Sequence, residues 1–198
     1  MSDIICVTNR RLCDEDFLCR AEKIAAARPR AIILREKDMS PEEYRVLAER
    51  VMEICGRYGT LCVLHSFPEI ALELGEEAIH LPLRKLVELP GDIKARFSVI
   101  GASCHSVSDA LCAQSAGATY ITAGHVFATD CKKGLPPRGL DFLRDVCGAV
   151  DIPVYGIGGI SPDNISAVRS AGAAGGCVMS GLMRCPSPEE YLKGCEEG

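Results

Sequence analysis

Short apolar runs rich in β-branched residues recur roughly every 25 residues, and each is followed by a stretch whose apolar positions fall at helical spacing. The runs cover residues 4–8, 31–34, 61–64, 78–81, 98–101, 120–123, 154–157 and 175–179. They are apolar throughout rather than at every second position, which is the pattern of parallel strands buried on both faces. The intervening segments open on helix-start signals. Ser40-Pro41-Glu42-Glu43, Ser161-Pro162-Asp163-Asn164 and Ser187-Pro188-Glu189-Glu190 each combine a capping hydroxyl, a proline and first-turn polar groups, Ser106 stands ahead of residues 110–116, and a further helix is expected over 14–27. Eight strand–helix units favour a closed barrel over a doubly wound sheet. The predicted architecture is a minimal α/β fold, a (β/α)8 TIM barrel forming a single domain over residues 1–198.

Composition narrows the function classes. The 198 residues carry 22 basic and 27 acidic side chains, a formal net charge of −5, which does not suit general nucleic-acid binding. No apolar run approaches the ~18–20 residues of a spanning helix, so no membrane partner is expected. The 12 cysteines invite a zinc or disulfide reading, but none are separated by the two to four residues of a metal knuckle. The first apolar run is too short for a signal core, so the expected compartment is the reducing cytoplasm, with the thiols acting as small buried hydrophobes.

Candidate chemistry collects at strand C-termini, where such barrels build their sites. Glycine-rich turns follow strands seven and eight, Gly156-Ile157-Gly158-Gly159-Ile160 and Val178-Met179-Ser180-Gly181. Gly158, Gly159, Ser180 and Gly181 are therefore expected to hold a phosphate on backbone N–H groups. Arg35 and Lys37, two residues apart at the end of strand two, should point the same way into the mouth. Ser103 offers a hydroxyl and His105 an imidazole after strand five. His125, at the end of strand six, is best placed for proton transfer, whereas His80, inside an apolar run, reads as structural. Residues 127–138, with Lys132, form a long charged loop suited to a lid. Cys104 and Cys131 fall in rim loops where a thiol could be activated.

These residues resemble the thiamine phosphate synthase/TenI superfamily over essentially the whole chain. The resemblance is most specific in the twelve residues that begin Gly124-His125-Val126-Phe127 and end at Leu135, in Arg138-Gly139-Leu140, and in Ile152-Pro153-Val154-Tyr155-Gly156-Ile157-Gly158-Gly159-Ile160. Leu34-Arg35-Glu36-Lys37 and Ile100-Gly101-Ala102-Ser103-Cys104-His105-Ser106 add support. The superfamily divides into two activities. The synthase joins a hydroxymethylpyrimidine diphosphate to a thiazole phosphate, with Mg2+ held on the diphosphate by acids after strands three and four. Here those stretches read Leu64-His65-Ser66-Phe67 and His80-Leu81-Pro82-Leu83-Arg84-Lys85, and neither acid is present. The strand-two glutamine typical of synthases is Ile33.

Gly124-His125-Val126-Phe127 resembles instead the TenI-type thiazole tautomerase. That resemblance implies a metal-independent isomerase of thiamine biosynthesis, which aromatises a carboxythiazole phosphate by a 1,3-proton shift with His125 as acid/base. Arg35, Lys37, Ser103 and Lys132 would contact the substrate, and no cofactor would be required. The alternatives are a thiamine phosphate synthase using Mg2+ on relocated ligands such as Asp38 or Asp130, and a non-catalytic regulatory protein that binds a thiamine intermediate. The expected partner is the small thiazole phosphate. Barrels commonly dimerise, and a homo-oligomer stays open because no surface stripe decides it.

Overall fold

In the computed structural model the described residues are 2–132 and 134–198, with the side chain of Cys131 outside the description. Eight strands close into one parallel barrel in sequence order, β1 pairing with both β2 and β8. They are β1 (Ile4–Val7), β2 (Ala31–Leu34), β3 (Leu61–His65), β4 (Ala78–Pro82), β5 (Val99–Cys104), β6 (Tyr120–Gly124), β7 (Val154–Ile157) and β8 (Gly175–Val178). All eight predicted strands are present, with ends that shift by up to three residues. The outer layer comprises α1 (Phe17–Ala26), α2 (Pro41–Tyr58), α3 (Pro68–Glu73), α4 (Leu83–Glu88), α5 (Gly91–Lys94), α6 (Val107–Ser115), α7 (Gly139–Ala149), α8 (Ile165–Ser170), α9 (Ser180–Arg184) and α10 (Pro188–Glu197). Among the described residues, no helix is long and apolar enough to cross a membrane.

Two apolar clusters follow from strand alternation. Ile4, Cys6, Ile32, Leu34, Leu64, Ile79, Leu81 and Ile121 face the helices, whereas Ile5, Val7, Ala31, Ile33, Val63, Tyr120, Tyr155 and Cys177 fill the barrel interior. Of the eleven cysteines with described side chains, Cys6, Cys55, Cys62, Cys104, Cys177 and Cys195 are buried as the sequence suggests while Cys19 and Cys112 are exposed, and burial pushes the Cys104 thiol up to about 12. A thiol in that state is not a nucleophile at neutral pH, which corrects the suspicion about Cys104. The same suspicion about Cys131 falls outside the described residues.

Helix starts follow the capping logic with one exception. Ser40 and Glu43 form a reciprocal capping box at α2, and Ser106 and Ser187 cap α6 and α10. Residues 161–164 form a turn instead: Asn164 Oδ1 accepts from the Ser161 N–H at 3.0 Å, Asn164 Nδ2 donates to the Gly159 carbonyl at 2.8 Å, and α8 begins only at Ile165. An asparagine able to bond the backbone locally competes with helix at its own position.

The strand ends that carry the mouth are braced from outside. The Tyr44 phenol on α2, fully buried, donates to the Leu34 carbonyl at 2.7 Å and accepts from the His65 N–H at 2.8 Å. It therefore satisfies the last carbonyl of β2 and the last amide of β3 together. A second cavity, of about 800 Å³, opens at the opposite end of the barrel between Ile5, Arg30, Tyr58, Tyr120 and Tyr155.

Candidate active site

A cavity of about 310 Å³ occupies the C-terminal end of the barrel. Its wall is the inward set of strand positions carried one step beyond the apolar interior: Val7, Ile33, His65, His80, Ser103, Thr122, Gly124, Ile157 and Met179. Period-two alternation continues past β2, so Arg35 and Lys37 both line the cavity, as their spacing predicts. Lys132, Ser103, His125, Gly158, Gly159 and Ser180 line it too. Gly181 does not; a Cβ there would meet the Tyr191 phenol at 2.3 Å, so its glycine serves packing.

The intervening residues Glu36 and Asp38 turn away from the cavity and are consumed. Glu36, 3% exposed, accepts from the Thr8 hydroxyl at 2.7 Å and from the Arg10 N–H at 3.0 Å. Asp38 receives two hydrogen bonds from Arg10, at 2.6 and 2.8 Å, and an ion pair from Arg11 at 2.6 Å. The Arg10 hydrogen bonds hold its carboxyl down at about 2. Asp38 is thus a brace for the β1 and β2 loops rather than a relocated metal ligand.

The β7 and β8 turns present backbone. Gly158 and Gly159 have φ of +99° and +69°. A Cβ on them would lie 2.4 Å from His125 Cβ and 2.6 Å from the Ala128 carbonyl oxygen. The fold therefore requires glycine at both positions to pass the segment that carries His125. That segment is fixed by Val126 N–H donating to the Ile157 carbonyl at 2.8 Å and Phe127 N–H to the Gly158 carbonyl at 3.0 Å. The His125 imidazole is buried, and its Nε2 donates to the Leu135 carbonyl at 3.3 Å. A carbonyl oxygen only accepts, so Nε2 carries a hydrogen in this contact.

Two further histidines form the floor. His65 and His80 stack at 5.7 Å between ring centroids. Burial first, and then its neighbour His80, pushes His65 down to about 2; burial and then Arg35 push His80 down to about 3. Both rings are neutral at physiological pH. His80 bonds the Tyr120 phenol through Nδ1 at 3.0 Å and the Ser103 hydroxyl through Nε2 at 2.9 Å. Tyr120 is buried with the His80 ring as its hydrogen-bond partner, so its O–H must donate there or go unsatisfied. Nδ1 then accepts, Nε2–H donates to Ser103 Oγ, and the Ser103 hydrogen is left for a ligand. Gly101 makes this possible, because a Cβ there would lie 2.3 Å from both His80 Nδ1 and the Tyr120 ring.

The sequence reading missed His65 and the rim threonines Thr122 and Thr129, and it treated His80 as purely structural. The available signal was register: His65 lies two positions after Val63 and His80 two after Ala78, both interior residues. His105 was noted at the rim, and its Nδ1 donates to the Gly124 carbonyl at 2.9 Å.

A model of the thiamine monophosphate synthase family (TMP-TENI) matches residues 4–182. The chain belongs to that family. Its relatives include the thiamine-phosphate synthase of Chlorobium luteolum, 36% identical over 97% of this chain and 91% of that one. The thiamine biosynthesis bifunctional protein ThiM/ThiE of Symbiobacterium thermophilum is 39% identical over 84% of this chain, which spans only 35% of that longer protein. Among solved structures, the thiamine phosphate pyrophosphorylase of Pyrococcus furiosus superposes with a TM-score of 0.84 at 27% identity, covering 98% of this chain and 93% of that one.

These relatives correct the isomerase expectation. The tautomerase expectation rests on Gly124-His125-Val126-Phe127 at the end of β6, on the missing acids after β3 and β4 and on Ile33, whereas the relatives resemble the chain along most of its length and carry the name of the transferase. The 1,3-proton shift assigned to His125 falls with it.

Magnesium, the ion implied by the synthase resemblance, prefers hard oxygen ligands including one or two carboxylates. Among the described residues no carboxylate lines the cavity, and no group of three His, Cys, Asp or Glu is placed to hold a metal. The donor set present does not fit that ion.

Proposed function

We propose that the chain is a thiamine-phosphate synthase, a transferase that joins the methylene of a pyrimidine diphosphate to the nitrogen of a thiazole phosphate. The observation that carries this reading is the 36% identity to the Chlorobium luteolum synthase over nearly the full length of both chains. The cavity agrees with it in kind. It offers two anion-binding regions, cationic side chains from β2 and the 127–138 loop, and the glycine turns after β7 and β8.

In this reading the carbon–oxygen bond to the diphosphate breaks with its electron pair leaving on oxygen, and a carbon–nitrogen bond forms. Arg35, Lys37 and Lys132 take the charge that develops on the departing diphosphate. The backbone of Gly158 and Gly159, with Ser180 at the start of α9, holds the thiazole phosphate so that the nitrogen is aimed at the methylene. Ser103, oriented by His80 and Tyr120, donates to the ring bound over the floor. His125 has no proton to move between carbons; it walls the cavity and fixes the loop through Leu135.

The test is direct. Purified protein incubated with both phosphorylated substrates should form thiamine phosphate and inorganic diphosphate, followed by conversion of the product to a fluorescent thiochrome. Substrate binding without product under every condition tried would overturn the assignment.

A further inference from the structure

The cavity of about 800 Å³ at the N-terminal end of the barrel is lined by none of the cations or glycine turns assigned to phosphate above. Its inner wall is apolar and aromatic. Ile5, Ala31, Val63 and Val99 surround the buried Tyr120 and Tyr155 rings, which meet edge to face at 5.9 Å between centroids. Its outer edge is cationic. Arg28 and Arg30 flank Pro29 in the turn between α1 and β2, and both line the cavity while exposed to solvent. The turn is pinned by the Arg28 N–H donating to the Ala25 carbonyl at 3.0 Å and the Arg30 N–H to the Ile4 carbonyl at 2.8 Å. Arg28 has φ of +55°, where a Cβ is unfavourable and where glycine is the usual residue after a helix. The turn itself therefore gives no reason for an arginine. Arg30 reaches the Tyr155 phenol: burial raises the pKa of that group, and the guanidinium draws it back down. Among the described residues no carboxylate lines the cavity. Acids on the neighbouring segments are engaged elsewhere, Glu22 by Arg57 at 3.2 Å and the Tyr58 phenol at 3.1 Å, and Asp3 by Arg169 at 2.7 Å.

We propose that this cavity is a second small-molecule site, one that takes a flat aromatic ring bearing a single carboxylate. The ring packs against Tyr120 and Tyr155 among the aliphatic side chains, and the carboxylate lies at the edge, where the guanidinium forks of Arg28 and Arg30 match its two oxygens. A small inorganic anion gains only the outer contacts and a neutral ring only the inner ones, so the two parts of the ligand are needed together. Because barrels of this kind carry their chemistry at the opposite end, this site binds without turnover.

The experiment is a titration of the intact protein with 2-naphthoate, read by the ligand's own fluorescence, which no tryptophan obscures because the chain has none. The uncharged 2-naphthalenemethanol and inorganic phosphate are titrated in parallel by calorimetry. The expected result is saturable binding of 2-naphthoate at one site, with each of the two controls at least about tenfold weaker, and about tenfold weaker 2-naphthoate binding in each of Arg28→Gly and Arg30→Met. Arg28→Gly keeps the left-handed turn, so its melting temperature should equal or exceed that of wild type while binding falls. That combination separates a lost ligand contact from a damaged fold. Naphthalenemethanol binding as tightly as naphthoate, or naphthoate binding unchanged in both arginine variants, would overturn the proposal. So would naphthoate binding that is lost in Lys132→Ala and kept in both arginine variants, since the ligand would then sit in the other cavity. None of these readouts uses product formation, so the site stands or falls independently of the transferase reading.

Discussion

On the β2 side of the mouth, Arg35, Lys37 and Lys132 reach the cavity on long stems, whereas on the β7 and β8 side the lining is the backbone of Gly158 and Gly159. The first region can lose Lys37 or Lys132 and keep its shape, because both side chains are exposed to solvent. The second has no side chain to lose, and its atoms are in contact with the segment that carries His125. On the proposed synthase reading, one protein meets two phosphate groups with charge in one place and with geometry in the other. Only the geometric half is inseparable from folding.

Both halves stand on the neutral histidine floor, so acid should produce the largest effect. Above pH 6.5 His65 and His80 are neutral in the folded and unfolded states alike, and they carry no proton-linked penalty. Below 6.5 the unfolded chain takes up protons that the folded one refuses until about pH 2 at His65 and about pH 3 at His80, so stability falls as pH falls. Each histidine contributes up to about 1.4 kcal/mol per pH unit. Urea midpoints at pH 7, 5.5 and 4.5 should drop progressively, and equal midpoints across that range would mean that the floor is open to water.

Next in size is Gly158→Ala. The left-handed backbone and the 2.4 Å approach to His125 Cβ together predict a loss of roughly 2–5 kcal/mol. A variant that melted with wild type while losing phosphate affinity would place this half with the charged one. Smaller again is Tyr44→Phe, which strips the partner from the Leu34 carbonyl and the His65 amide and should cost about 1–3 kcal/mol in denaturant unfolding. Because the phenol braces β2 and β3, the same variant should also loosen the cationic side. Unchanged diphosphate binding would show that Arg35 and Lys37 are held by Thr8, Arg10 and Glu36 alone.

Much of this fold is written openly in the chain, since strands buried on both faces have to be continuous apolar runs and there are eight of them. The same continuity hid the floor. His80 within Ala78-Ile79-His80-Leu81 looks like an accident in a core strand until the register shows that Ile79 faces the helices and His80 the axis. The residues at rim positions were legible because they follow strand ends, and Arg35, Lys37, Ser103, His125, Gly158, Gly159 and Ser180 do converge on one cavity. Gly181 did not, because a glycine that admits a ligand and one that admits a tyrosine read alike. The reaction was the least legible part. Gly124-His125-Val126-Phe127 pointed to one member activity, and the rest of the chain outweighs it.

Tyr120 lies between the cavity at the C-terminal end of the barrel and the larger one below, bonded upward to His80 and lining the lower space. It is a bulkhead across the barrel axis. The depth to which a ring can sink from the mouth is therefore set by one phenol and by the glycine that lets it reach across, rather than by the length of the strands. Shortening that side chain would turn two chambers into a shaft, and the first property to change would be how long a substrate the barrel accepts.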